Sequence, residues 1–125
     1  MVRGLTGLMR SMVLGLVLLL GLTACASTSA EPPAADAVVI DVRTPAEFAE
    51  GHLEGAVNID LQSGSFEQQI AELPLDGDYV VYCRSGNRSA QAVEIMTKLG
   101  FENLSDAGGV QAASQSTGLR IVTQG

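Results

Sequence analysis

From residue 37 onward the apolar positions of the chain switch between two periods. Val38-Val39-Ile40-Asp41-Val42 is short, β-branched and nearly all apolar, the pattern of a strand covered on both faces of a parallel sheet. Thr44-Pro45-Ala46-Glu47 then supplies an N-cap Thr, Pro at the first helical position and Glu at the third. This is a capping box, and it opens a short helix that Gly51 stops. Gly55 to Ile59 predicts a second short strand. Ser65 is placed to cap a second helix with Phe66, Ile70 and Leu73 on one face, ended by Pro74. Asp78 to Tyr82 predicts a third strand, again apolar on both faces. From Arg88 to Leu99 the period is helical: Ala92, Ile95, Met96 and Leu99 line one side, Gln91, Glu94 and Lys98 the other. Glu94 and Lys98 pair at i, i+4, and Gly100 stands at the C-terminal stop. Phe101 to Leu104 predicts a fourth strand, and Gly108-Gly109-Val110 starts a last segment that the pattern does not type. Strands alternating with helices predict a small α/β domain with a mainly parallel sheet.

The chain before residue 37 follows a different pattern. Arg3 and Arg10 give a positive start, and Met12 to Leu22 is an unbroken apolar and glycine run. Spanning a bilayer as a helix takes roughly 20 apolar residues, so this shorter run reads as the core of an export signal. Leu22-Thr23-Ala24-Cys25 resembles the bacterial lipoprotein box, in which cleavage precedes Cys25 and the new N-terminal cysteine carries lipid. Residues 1–24 are therefore expected to be a lipoprotein signal peptide. Residues 25–36, rich in Ala, Ser and Pro, are expected to be a lipid-anchored cysteine and a flexible linker. The eleven residues after Cys25 could hold a domain up to ~35 Å from a bilayer surface. The expected location is outside the cytoplasm, membrane-anchored and facing the periplasm or cell exterior.

Residues 37–125 are enough for one small domain and show no internal repeat. Loss of Arg3 and Arg10 with the signal leaves 5 basic residues against 14 acidic ones, a net charge of −9. So acidic a surface argues against nucleic acid as a partner. With His52 as the one histidine and no Cys/His cluster, a structural zinc site is not expected.

That leaves Cys83. If Cys25 carries lipid, Cys83 is the sole thiol of an exported domain, either bridged to another molecule or reactive. It stands where the strand Asp78–Tyr82 gives way to the helix from Arg88, in the stretch CRSGNRS. Ligands of open α/β sheets sit beyond the carboxyl ends of strands, where helix N-termini gather. The amides of Arg84 through Arg88 can fold back around the sulfur, the helix points its positive end there, and Arg84 and Arg88 add formal charge. All three effects favour the thiolate, the nucleophilic form.

The loop CRSGNRSAQA, the upstream VIDVRTPAEFAEGHLEGAVNID and the downstream LGFENLSDAGG together resemble a single rhodanese domain, of the sulfurtransferase family, over residues 37 to 123. Within that family the sequence is most similar to the short, exported, phage-shock type. The resemblance implies a three-layer α/β/α fold with a mainly parallel five-stranded sheet. It implies that Cys83 takes sulfane sulfur from thiosulfate as a persulfide, releases sulfite, and passes the sulfur to cyanide or a thiol. It assigns Cys83 as nucleophile and Arg84, Ser85, Gly86, Asn87 and Arg88 as the substrate-binding loop, with no metal or organic cofactor. One departure is that Gln111-Ala112-Ala113 stands where many rhodaneses carry a tryptophan after the Gly-Gly-Val segment, which bears on the packing of the C-terminal segment.

Loop length sharpens the assignment. Five amides after the cysteine enclose a pocket suited to one extra sulfur atom, whereas the related cysteine phosphatases have one more residue before their arginine. Counting Cys-x5-Arg from Cys83 lands on Ser89, and Arg88 is one position early. Asp41 and Arg43, near the end of the first strand, could line the mouth of the site, but as a pair they are expected to tie the loop down. His52 is expected to be structural, and Glu47 is explained by the capping box rather than by acid catalysis. The alternative reading is a non-enzymatic persulfide carrier or protein-binding module.

Overall fold

A computed structural model of the chain describes residues 33–123. The expected signal peptide and the lipid-bearing Cys25 lie outside the described residues. Of the expected linker, Pro33–Asp36 are described and form a turn closed by the Ala37 amide donating to the Ala34 carbonyl at 2.9 Å.

Four parallel strands form the central sheet: β1 (Val38–Asp41), β3 (Val57–Asn58), β4 (Asp78–Cys83) and β5 (Asn103–Gly109), in the order β3-β1-β4-β5. Two further strands, β2 (His52–Leu53) and β6 (Ile121–Val122), pair antiparallel with each other outside that sheet. The helices are α1 (Pro45–Glu50), α2 (Phe66–Ile70), α3 (Asn87–Leu99) and α4 (Val110–Thr117).

The period of two along the central strands divides the core. Ile40 and Val42 of the β1 region and Tyr79, Val81 and Cys83 of β4 face one side, where Phe66 and Ile70 of α2 and Ala92 and Met96 of α3 cover them. Val39, Val80 and Tyr82 face the other side and pack on Leu53 and Ala113 of α4. Residues 79 to 83 are buried throughout, as an interior strand of a doubly covered sheet requires.

The α/β class and the parallel sheet follow the sequence pattern, and several details differ from it. The sheet has four strands rather than five. β5 is longer than Phe101–Leu104 and takes in Gly108 and Gly109, and the segment left untyped becomes its end and the start of α4. Ser65 occupies the N-cap position of α2, but its side chain caps no backbone amide; its hydroxyl instead accepts from the Gln69 side-chain amide at 2.7 Å. That helix ends at Ile70, ahead of Leu73. Leu99, expected on the buried face of α3, is exposed, and the buried stripe is Ser89, Ala92 and Met96. In the segment that lacks the tryptophan, Ala113 is buried in the same cluster as Val39, Leu53, Val80 and Tyr82.

Candidate active site

β1 and β4 are neighbours at the point where the strand order reverses, so a crevice at their carboxyl ends is dictated by topology. Cys83 is the last residue of β4. The chain turns through Ser85 and reaches Gly86 at φ +103°, a left-handed conformation that glycine adopts freely, before α3 starts at Asn87. That turn brings the Gly86 amide back to donate to the Cys83 sulfur at 2.9 Å. Ser89, in the first turn of α3, places its hydroxyl 3.6 Å from the same sulfur and 3.0 Å from the Gly86 carbonyl.

Burial of Cys83 opposes ionisation of its thiol. The amides of Ser89, Gly86 and Ser85 and the Ser89 hydroxyl outweigh that and hold the pKa below its ordinary value. The thiolate is thus stabilised by backbone dipoles and one hydroxyl at the head of a helix. The two guanidinium groups are placed differently from each other, and that of Arg88 couples coulombically to Cys83. Arg84 is exposed on the loop rim, and Arg88 is held by the Glu47 carboxylate, Nη1 to Oε1 at 2.7 Å and Nη2 to Oε2 at 2.9 Å. Hydrogen bonding to Arg88 is the main reason that the Glu47 carboxyl sits at about 2.

Glu47 also completes the predicted capping box: its backbone amide donates to the Thr44 hydroxyl, and its Oε1 accepts from the Thr44 amide at 3.4 Å. One carboxylate therefore ties the start of α1 to the first turn of α3. Ser85 and Asn87 are exposed beside Arg84.

The loop has a buttress that the sequence pattern did not reveal. β5 runs beside β4 with Cys83 opposite Gly109, and a Cβ on Gly109 would lie 2.6 Å from the Arg84 carbonyl oxygen and 3.6 Å from the Ser85 Cα. Only a residue without a side chain lets the two backbones meet this closely. Gly108, at φ +74°, turns the strand into that position. Spacing alone marks neither glycine as part of the site, and their place in the segment DAGGV is the available signal.

Asp41 and Arg43 behave as a tie. The buried Asp41 carboxylate accepts from the Arg43 amide at 2.9 Å, Nε at 3.0 Å and Nη2 at 2.7 Å, while Nη2 also donates to the Gly51 carbonyl. Arg43 further lies 5.7 Å from the centre of the Tyr82 ring. This anchors the end of β1 to the end of α1. His52 stacks on Phe48 at 3.7 Å between ring centres, with Nδ1 2.8 Å from the Phe48 carbonyl oxygen, contacts that serve packing.

Two clefts are lined by no residue of the Cys83 loop. One of about 480 Å³ is lined by Ala37, Asp78, Tyr79 and Asn103 at the amino ends of β4 and β5, the opposite end of the sheet from Cys83. A second, of about 370 Å³, lies among Leu61, Phe66 and Ile95. Cys83 sits instead in a tight backbone loop.

The family described as Rhodanese-like domain matches residues 26–115. The thiosulfate sulfurtransferase PspE of Escherichia coli (strain K12) is 37% identical over 92 residues, covering 73% of this chain and 88% of that protein. A sulfurtransferase of Allochromatium vinosum is 36% identical over 87 residues, covering 70% and 79%. Among solved structures, a rhodanese with anions from E. coli superposes with a TM-score of 0.58 at 30% identity, covering 70% of this chain and 98% of the other. A rhodanese-related protein from Thermoplasma volcanium gives 0.58 at 34%, covering 70% and 84%.

Proposed function

This chain belongs to the rhodanese family, and from that premise we propose that it is a sulfurtransferase whose nucleophile is Cys83 and whose donor is thiosulfate. The observation that carries the reading is the Gly86 amide 2.9 Å from the Cys83 sulfur, within a loop whose other donors also favour the thiolate.

The cycle has two displacements. The Cys83 thiolate attacks the outer sulfur of thiosulfate. The new S–S bond forms as the old one breaks, and sulfite leaves with the bonding pair, so one thiolate and one dianion become one persulfide anion and one dianion. Cyanide or a thiolate then attacks the terminal sulfur, taking it as thiocyanate or a persulfide and returning Cys83 as thiolate. No proton needs to move when the thiolate is already stabilised, which is consistent with a loop that offers donors and no base. In this cycle the loop amides that favour the thiolate also receive the terminal persulfide sulfur.

Thiocyanate formation from thiosulfate and cyanide tests the proposal. Cys83→Ser is expected to abolish it, and the thiosulfate-treated protein is expected to gain ~32 Da on the peptide bearing Cys83 by virtue of one added sulfur. Unchanged turnover in Cys83→Ser would remove the mechanism.

The N-terminal pattern supports a second part of the proposal, that the domain is exported and tethered to a membrane by lipid on Cys25. Cys25→Ala is expected to release the protein from the membrane fraction, and acyl chains are expected by mass spectrometry of the native N-terminal peptide. Retention of the variant in the membrane, or a native peptide without acyl chains, would refute it.

A further inference from the structure

The described residues contain five basic side chains, and four of them are paired with carboxylates: Arg43 with Asp41 at 2.7 Å, Arg88 with Glu47 at 2.7 Å, Lys98 with Glu94 at 3.0 Å and Arg120 with Glu54 at 3.2 Å. Arg84 is the exception. No carboxylate of the described residues lies within 4.0 Å of it, and it projects from the loop that starts at the nucleophile. In a chain with a net charge of −7, an exposed cation without a carboxylate partner, one residue along the chain from Cys83, is where an approaching anion meets least repulsion.

Arg88 differs from Arg84 in kind. Its two terminal nitrogens each donate to a separate oxygen of Glu47, a bidentate pair that is largely shielded, with side-chain exposures of 19% and 23%. Its charge still couples to Cys83 but is largely offset by Glu47 at contact distance, and its geometry is fixed by a carboxylate that the Thr44 capping box fixes in turn. Arg88 immediately precedes Ser89, whose amide and hydroxyl act on the sulfur.

We propose that anion recognition in this site rests on Arg84 alone, and that Glu47 and Arg88 form a neutral positioning pair that sets the first turn of α3 against the sulfur without holding the donor. This rests on the sulfurtransferase reading and narrows it: discrimination for a small anionic donor is placed on one rim side chain, and Glu47 joins the site as a positioning residue.

The test uses charge arithmetic in the full domain with thiosulfate as donor. A unit cation and a dianion ~6 Å apart in a water-like medium attract enough to change affinity about tenfold. Arg84→Gln is therefore expected to raise KM about tenfold. Glu47→Gln keeps a residue able to complete the capping box but frees the charge of Arg88, so KM is expected to fall several-fold. The paired substitution Glu47→Gln with Arg88→Gln restores neutrality. Its KM is expected to stay within about twofold of the parent while kcat falls several-fold, because the turn is held less firmly. A tenfold rise in KM for the paired variant, matching Arg84→Gln, would show that Arg88 binds the donor and would overturn the inference, as would a KM for Glu47→Gln at or above the parent value.

Failure of the underlying reading is distinguishable from this. If the parent protein turns over no thiosulfate, the ratio of Cys83 alkylation rates by iodoacetate and neutral iodoacetamide still counts the cations at the sulfur. That ratio is expected to drop about threefold in Arg84→Gln and to rise in Glu47→Gln. An unchanged ratio in both variants would sink the inference independently.

Discussion

Ser89 offers the sharpest test of how the sulfur is held. Its hydroxyl has one hydrogen and two acceptors within reach, the Gly86 carbonyl at 3.0 Å and the Cys83 sulfur at 3.6 Å. When Cys83 is a neutral thiol, the hydroxyl donates to the carbonyl. When the sulfur is ionised, the hydrogen is better spent on the negative charge. The carbonyl is not orphaned by that change, since the Ala90 amide also donates to it at 3.1 Å. Ser89→Ala therefore removes a bond to a charged group while leaving the backbone satisfied. Such bonds contribute about 1.5 kcal/mol, and one pKa unit corresponds to about 1.4 kcal/mol, so the Cys83 pKa is expected to rise by about one unit. The substitution is nearly isosteric and the site is fully buried, so the fold is expected to lose no more than about 1 kcal/mol.

The assay is the rate of iodoacetamide alkylation of Cys83 against pH, with thermal unfolding in parallel. Linkage fixes a second sign. A cysteine whose folded pKa lies below its unfolded value adds stability that is fully present above the unfolded pKa and is lost as pH falls through the folded one. The alkaline gain in stability of the parent is thus expected to shrink in Ser89→Ala. An alkylation midpoint that does not move would show that the amides alone hold the thiolate, and the role given to the hydroxyl would be wrong.

Other outcomes follow from the same geometry. Gly109→Ala sets a methyl group 2.6 Å from the Arg84 carbonyl oxygen, so chemical denaturation is expected to show a loss of about 1–3 kcal/mol, and thiocyanate formation a steeper loss, because the loop itself must shift. A variant as active and as stable as the parent would contradict the close approach of β5 to the loop. The Glu47 carboxyl, held at about 2 chiefly by Arg88, contributes stability that is whole above its ordinary value near 4.5 and is lost as pH falls toward 2. The difference in unfolding free energy between the parent and Glu47→Gln is expected to be about 1–2 kcal/mol at neutral pH, after discounting for partial exposure, and to close between pH 4.5 and 2. A difference independent of pH would remove the ion pair as its cause. Met96→Ala, truncating a fully buried side chain of α3, is expected to lower stability by about 2–5 kcal/mol by urea unfolding, and a loss under 1 kcal/mol would mean that the stripe on α3 was misjudged.

What could be read from the sequence was what local physics decides. The capping box at Thr44 and Glu47 is closed by residues three apart, and the run at Tyr79–Cys83 announces its double burial in its composition. The turn at Gly86 carries its own conformational signal. What escaped depends on pairs that only the topology unites. The bond from Glu47 to Arg88 spans 41 positions, and the capping box had already supplied a sufficient local reason for the glutamate. The abutment of Gly109 on Arg84 exists because β5 lies next to β4. α4 was not foreseen because it buries a single small residue, Ala113, and so writes little periodicity into the sequence. The two-residue strands β2 and β6 are too short to carry an alternating pattern. Leu99 continues the apolar spacing of α3 but is exposed at the last residue of the helix, which spacing alone does not reveal.

The glycine at the end of β5 has an implication for how the molecule comes into being. A ribosome releases the nucleophile well ahead of the strand that shapes its surroundings, so a growing or clipped chain ending before residue 109 carries a thiol with no finished cradle. The reactivity proposed for Cys83 therefore depends on β5 arriving beside the loop as well as on the loop itself.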